Sequence, residues 1–227
     1  MHTPTPAVPR LILASASPRR QEFLRDLGLA FEVMAADVDE SPRSGEAPVA
    51  LAARLAADKA RTVARRLPSG APPALVIAAD TVVAQDEELL GKPADDAEAA
   101  AMLRALRGRT HQVISAVSVL DTGTGVQHTR ENETLVTMRA YGDEEIAAYV
   151  ASGDPHDKAG AYAIQHAGFH PVAAVRGCIA TVTGLPLADL CDILQEFGIV
   201  VTRELPPICD ARTPFGCCQS QPDSLGG

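Results

Sequence analysis

Apolar residues fall into short runs and into four-residue spacings, punctuated by Gly, Pro and Ser. Arg10-Leu11-Ile12-Leu13-Ala14 has the length of a buried strand and breaks at Ser15-Ala16-Ser17-Pro18. Ser17 suits a helix N-cap, and Pro18 suits the first turn, where a missing N–H costs nothing. A helix is therefore predicted from Arg19 to Leu27, burying Phe23, Leu24 and Leu27 and ending at Gly28. Phe31 to Ala35 reads as a second strand, followed by the acidic stretch Asp37-Val38-Asp39-Glu40. Leu51, Leu55, Lys59 and Val63 lie four apart, so Val49 to Leu67 is predicted helical up to Pro68-Ser69-Gly70.

Leu75 to Ala79 is the clearest buried strand and is expected to deliver Asp80-Thr81 at its end. A Gly91-Lys92-Pro93 loop and an Ala-rich helix, Asp95 to Leu106, follow. His111 to Leu120 and Gln127 to Met138 alternate as two strands joined by a hairpin over 121–125. A helix from Asp143 to Ser152, a Gly-rich segment from Asp154 to Gln165, a strand over 172–175 and a helix from Leu187 to Phe197 come next. Ile199 to Arg203 is read as a last strand. Strands alternating with helices, then two strands in succession, predict an α/β fold with a mixed sheet that is partly antiparallel.

The chain of 227 residues is 46% apolar but only 4% aromatic and has no Trp, so its core rests on Ala, Leu, Val and Ile. Residues 10–204 are expected to form one domain. Residues 1–9, with three prolines and no apolar stretch of signal-peptide type, are expected to be a flexible tail. Residues 205–227, rich in Pro, Gly, Ser and Cys, are expected to be disordered. The net charge of −9 argues against nucleic acid or an anionic membrane as partner, while leaving room for a small basic pocket. No apolar run approaches the roughly 20 residues that span a bilayer. Five irregularly spaced cysteines without a secretory signal read as reduced thiols in a cytoplasmic protein.

Three places could carry chemistry. The Ser15–Arg20 turn leads a strand into a helix start, where backbone N–H groups and two guanidiniums favour an anion such as phosphate. Its alternative is an ordinary capped helix with solvated arginines. Asp80 places a carboxylate by the sheet, with Asp39 and Glu40 as further oxygen donors. Carboxylates beside a polyphosphate call for a bridging divalent cation, unless Asp80 merely caps a turn. Lys59, Lys92 and Lys158 stand in motif-like surroundings, although lone lysines are usually solvated. Other motifs fail. Gly91-Lys92 lacks the remainder of a P-loop, and no Gly-x-Ser-x-Gly elbow is present. His166 and His170 are interrupted by Gly168, and the spacing of Cys209, Cys217 and Cys218 matches no standard zinc module.

Four segments in order change the weighting: Leu13 to Glu22 (LASASPRRQE), Ala79 to Val83 (ADTVV), Gly91-Lys92-Pro93, and Ser152 to Gln165 (SGDPHDKAGAYAIQ). Together they strongly resemble the Maf family of nucleoside triphosphate pyrophosphatases, over about Leu11 to Phe197. The resemblance implies an elongated, curved mixed sheet flanked by helices, two lobes around a nucleotide-binding cleft, and a homodimer. It implies hydrolysis of a nucleoside triphosphate to the monophosphate and pyrophosphate with a divalent cation (Mg²⁺, Mn²⁺ or Co²⁺). Asp80 then matches the catalytic acid/base or metal carboxylate, and Glu40 an acidic position near the metal. Arg19, Arg20, Lys59 and Lys92 match phosphate-contacting cations, with Ser15 in the same turn. Thr81 and the Asp157-to-Gln165 segment look like the branch acting on dTTP and UTP, where the Gln165 amide can pair with the O/N–H edge of the base. Arg19 and Thr81 match the other positions tied to base choice. The chain departs from the family pattern at His166-Ala167-Gly168 and over Gly177–Thr183, both beside the expected base pocket. The family's association with septum inhibition gives a second expectation, a nucleotide-binding regulator of division without turnover.

Overall fold

The computed structural model describes residues 9–86 and 88–220. The expected tail at 1–9 lies, apart from Pro9, outside the described residues, as do residues 221–227. The strands are β1 (Arg10–Leu13), β2 (Glu32–Val33), β3 (Ala74–Gln85), β4 (Glu88–Leu90), β5 (Thr110–Asp121), β6 (Gln127–Met138) and β7 (Val172–Arg176). The helices are α1 (Pro18–Asp26), α2 (Pro48–Arg65), α3 (Asp96–Leu106), α4 (Asp143–Ala151), α5 (Ile179–Thr183), α6 (Leu187–Glu196) and α7 (Leu205–Asp210). One mixed sheet has the order β2-β1-β3-β5-β6-β7, with β4 paired to β3. β1 is parallel to β2 and β3, and the other pairings are antiparallel.

Side chains on β3 alternate between two cores. Leu75, Ile77, Ala79 and Val83 join α1, α3, α4 and α6 on one face. Val76, Ala78 and Val82 join the apolar stripe of α2 on the other, where Leu51 and Leu55 meet Val82 and Ile114. A strand's period of two forces this split. Asp80 consequently points to the α2 side and Thr81 to the α1 side.

Three strand expectations are corrected. β3 does not stop at Ala79: Thr81, Val82 and Val83 are β-branched, and β5 pairs with β3 continuously from Leu75 to Ala84. Asp80 therefore lies in the middle of a strand. Its parallel neighbour β1 ends opposite Ile77, and β4 begins only opposite Val83, so residues 78–82 have no strand on that side. The interval is a notch in the sheet edge. Ile199 to Arg203 forms no strand, and Phe31 to Ala35 contributes only Glu32 and Val33.

Residues 205–220 are not disordered as expected. They form α7 and a single 3₁₀ turn at Cys218–Ser220, with Cys209 and Cys217 each 2% exposed. Arg212 pairs with Glu22 and Asp26 of α1 and lies over the Phe23 ring at 4.4 Å. Low-complexity composition hid this because the anchoring contacts come from a few residues rather than a periodic apolar face.

Candidate active site

A cleft of about 1230 Å³ opens at the notch, with walls from the β1–α1 turn, β3, α2, the β4–α3 loop, residues 154–168 and the end of α5. It brings together Ser15, Arg19, Arg20, Glu40, Lys59, Asp80, Thr81, Lys92 and Gln165, the residues that the family resemblance assigns to the site. Asp39 does not join them; its carboxylate accepts from the Ser41 N–H and closes a local turn.

Lys59 organises the α2 side. It sits on the buried stripe of α2, and its Nζ donates to Asp80 Oδ1 at 2.5 Å and reaches Glu40 Oε1 at 2.6 Å. Burial pushes the Asp80 carboxyl above its ordinary value, while Lys59 and Arg20 pull against that rise. For Glu40 burial also acts upward, but Lys59, Lys92 and Arg20 outweigh it and hold the carboxyl below its ordinary value. Glu40 rides on the β2–α2 loop. Glu46 secures that loop by accepting from Arg54 Nε at 2.6 Å, Arg54 Nη2 at 2.7 Å and the Arg43 N–H at 2.9 Å.

Arg20 organises the other side. Its guanidinium donates to Gly184 O (2.9 Å), Ser15 Oγ (3.2 Å) and Thr81 Oγ1 (3.3 Å). Ser115, directly opposite Thr81 in the β3–β5 register, donates its only hydroxyl proton to Thr181 O at 2.7 Å. Thr81 must then be the donor in the 2.7 Å Thr81–Ser115 contact, which leaves its lone pair for Arg20. The chain from Arg20 through Thr81 and Ser115 to the α5 carbonyl fixes the guanidinium plane. Gly184 closes this corner with φ +105°, where an added Cβ would stand 3.3 Å from Thr81 Oγ1.

Sequence reasoning missed Ser115, Glu46 and the Gly184 carbonyl. None of the three had a usable local signal: Ser115 stands opposite Thr81 only through the β3–β5 pairing, between residues 34 apart. Ser17 caps α1 by backbone position alone, while Ser15 Oγ accepts the Ser17 N–H at 3.2 Å. Lys158 is structural: its ammonium donates to Asp154 O (2.5 Å), Asp157 Oδ1 (2.6 Å) and Asp154 Oδ1 (3.0 Å), bracing the turn before the cleft. His166 Nδ1 accepts from the Phe169 N–H at 3.0 Å and its ring stands edge-on to Tyr149, so it shapes a loop rather than pairing with His170. Among the described residues, the Arg19 guanidinium and the Gln165 amide have no hydrogen-bond partner, and both line the cleft.

Asp80 and Glu40 offer hard carboxylate oxygens held around one ammonium. Mg²⁺-type cations take one or two carboxylates and complete their shell with water and substrate phosphates. The two residues fit such an ion in that manner; among the described residues no group of three or more His, Cys, Asp or Glu side chains forms a full protein cage.

Fold and cleft define an α/β protein whose sheet edge sets guanidiniums and lysines against two carboxylates, the combination that phosphate-ester or anhydride chemistry requires. The chain belongs to the Maf family, matching the Maf-like protein description over residues 10–197. It is 45% identical over 188 residues to a dTTP/UTP pyrophosphatase of Pelotomaculum thermopropionicum, covering 83% of this chain and 96% of the relative. It is 49% identical over 189 residues to a dTTP/UTP pyrophosphatase of Myxococcus xanthus, covering 83% and 93%. A dTTP/UTP pyrophosphatase of Anaeromyxobacter dehalogenans is 46% identical over 200 residues, covering 87% and 99%.

Proposed function

We propose that this protein hydrolyses dTTP, UTP and modified pyrimidine nucleoside triphosphates to the monophosphate and pyrophosphate. The observation that carries the reading is the single cleft joining the Lys59–Asp80–Glu40 cluster to the braced Arg20, in a chain whose similar relatives bear that activity in their names. No helix among the described residues is long and apolar enough to cross a membrane.

In this reading Arg19, Arg20 and Lys92 hold the triphosphate, and Ser15 with the α1 start positions it. Lys59 occupies Asp80 Oδ1, so Oδ2 is left to take the proton of the water that attacks the α-phosphorus in line. Burial lifts Asp80 toward a more basic carboxylate, which suits that role. The cations then stabilise charge gathering on the departing pyrophosphate. A divalent cation (Mg²⁺, Mn²⁺ or Co²⁺) held by Asp80 and Glu40 would neutralise phosphate charge and polarise the P–O bonds. Gln165 and Thr81 face the base. The same reading places the protein in the cytoplasm as a homodimer, with no nucleic acid or membrane partner.

The test is pyrophosphate release with each of the three cations across dTTP, UTP, CTP, GTP, 7-methyl-GTP and ATP. Multiple turnovers on dTTP and UTP, lost in Asp80→Asn, are expected. Tight nucleotide binding without turnover would overturn the reading in favour of a non-catalytic regulator.

A further inference from the structure

Gln165 and Lys92 enter the cleft from different loops, and one hydrogen bond couples those loops: the Gly160 N–H donates to Gly91 O at 3.0 Å. The segment from Lys158 to Gln165 has no regular element beyond a single 3₁₀ turn at Ala159–Ala161. Gly160 (φ +73°) and Ala161 (φ +60°) both lie in the left-handed region. An alanine is strained there, so the turn persists only where its surroundings hold it. Two further hydrogen bonds do so. The Ala163 N–H donates to Tyr149 Oη of α4 at 2.9 Å, and Tyr162 Oη shares a 2.7 Å hydrogen bond with His111 Nε2. Of the three, only the last reaches a strand of the sheet.

His111 is the second residue of β5 and is 2% exposed, with its ring edge-on to Tyr162 and the centroids 5.3 Å apart. Nδ1 is buried without a partner, so Tyr162 makes the one hydrogen bond of the imidazole among the described residues. Burial pushes the imidazole down to about 4 and raises the Tyr162 phenol above its ordinary value, so near pH 7 a neutral ring meets a protonated phenol. The contact adds no charge behind the cleft; what it fixes is position. Tyr162 lines the cleft, and His111 stands behind it.

We propose that His111 is a positioning residue for the cleft: by holding Tyr162 from β5 it fixes the 160–165 turn, and through that turn both Gln165 and Lys92. Gln165 follows Tyr162 by one short step of chain, and Lys92 follows Gly91, the residue that accepts from Gly160. One buried side chain, 51 residues from Tyr162 in sequence, would thus set the spacing between the base-facing amide and a phosphate-facing cation. The inference rests on the roles proposed above for Gln165 and Lys92. Those two residues hold the nucleotide in ground and transition state alike, so slackening them raises KM more than it lowers kcat.

The test compares the full-length parent with Tyr162→Phe, His111→Leu, their double variant, His111→Gln and the control Tyr141→Phe. The control removes a buried hydroxyl, bonded to Leu103 O, that lies outside the turn. Amide hydrogen exchange is read by NMR without nucleotide. Tyr162→Phe and His111→Leu should each speed exchange at Gly160 and Ala163 by about 10-fold, whereas Tyr141→Phe leaves both amides as in the parent. In kinetics the same two variants should raise KM for dTTP by about 10-fold and weaken the preference for dTTP over CTP, with kcat held within about 3-fold. The double variant should do no more than His111→Leu, and His111→Gln, which keeps a hydrogen-bonding group within reach of the phenol, should stay within about 3-fold of the parent.

Unchanged exchange at Gly160 and Ala163 in both single variants would overturn the proposal, as would equal acceleration in Tyr141→Phe. So would a fall in kcat with KM and the dTTP preference intact. A parent that turns over no triphosphate would overturn the reaction assigned to the cleft instead, and the exchange rates would still decide whether His111 holds the turn.

Discussion

The Lys59 ammonium stands 2.5 Å from Asp80 Oδ1, and both side chains are about nine-tenths buried. Burial alone disfavours the ionised carboxylate, so the neighbouring cation is what keeps Asp80 usable as a base. Lys59→Met removes that compensation and should cost about 3–5 kcal/mol in urea unfolding. Asp80→Asn leaves Lys59 paired with Glu40 and relieves a buried charge, so it should cost much less stability while lowering turnover by at least ~100-fold. Equal stability of Lys59→Met and the parent would mean that the pair compensates nothing.

Arg20 makes three directed hydrogen bonds that a lysine ammonium cannot reproduce together. Arg20→Lys keeps the charge and loses the fork, so kcat/KM should fall by about 10–100-fold with the fold intact. Ser115→Ala acts one step further back. It leaves the Thr181 carbonyl and the Thr81 hydroxyl without their partner, and should cost about 1–3 kcal/mol in stability with a smaller loss of kcat/KM than Arg20→Lys. A larger catalytic defect in Ser115→Ala than in Arg20→Lys would contradict this order of action.

What was legible in the sequence follows a physical division. Elements with strong periodicity, such as α2 and the β5–β6 hairpin, stand within a few residues of expectation because their apolar faces are long. The end of β3 was misread because Asp80 looked like a terminator. Strand continuation there is dictated by pairing to β5, a contact between residues 34 apart at Thr81 and Ser115. Side chains of the cleft were identifiable from motif residues, but their supports were not. Glu46, Ser115 and the Gly184 carbonyl act through partners remote in sequence, and α5 is only five residues long, too short for a periodic signal. Arg212 lies in a segment whose composition suggests disorder, and only the tertiary partners Glu22 and Asp26 reveal its anchoring role.

Glu46 gives a pH test of the loop that carries Glu40. Hydrogen bonds from Arg54, then from the Arg43 N–H, hold its carboxyl down at about 2 against an ordinary 4.5. A carboxyl depressed in the folded state stabilises that state above its unfolded value, and the contribution disappears as pH falls through the folded value. The stability difference between the parent and Glu46→Gln should therefore be constant above about pH 5 and shrink from there to pH 2. Carboxyl NMR titration should show Glu46 ionised well below the other glutamates. A Glu46 midpoint near 4.5 would remove the basis for a fastened loop.

Gln165 carries the base-selectivity prediction. Its side chain lines the cleft and is unpaired among the described residues, so both its carbonyl oxygen and its NH₂ are available to a ligand. Uracil and thymine present carbonyl acceptors flanking one N–H, whereas cytosine presents a ring-nitrogen acceptor beside an amino donor. With its NH₂ aimed at a base carbonyl and its oxygen at the ring N–H, the amide satisfies the first pair, whereas cytosine meets that same orientation donor to donor and acceptor to acceptor, leaving desolvated groups without partners, worth about 1–3 kcal/mol. Gln165→Ala should thus lower the preference for dTTP and UTP over CTP by about 10-fold. The loss should appear mainly as weaker discrimination in kcat/KM, with the pH profile set by Asp80 unchanged. Unaltered selectivity across the three triphosphates would move base recognition away from Gln165 and toward Thr81, Arg19 and the backbone of residues 163–168, which line the same wall.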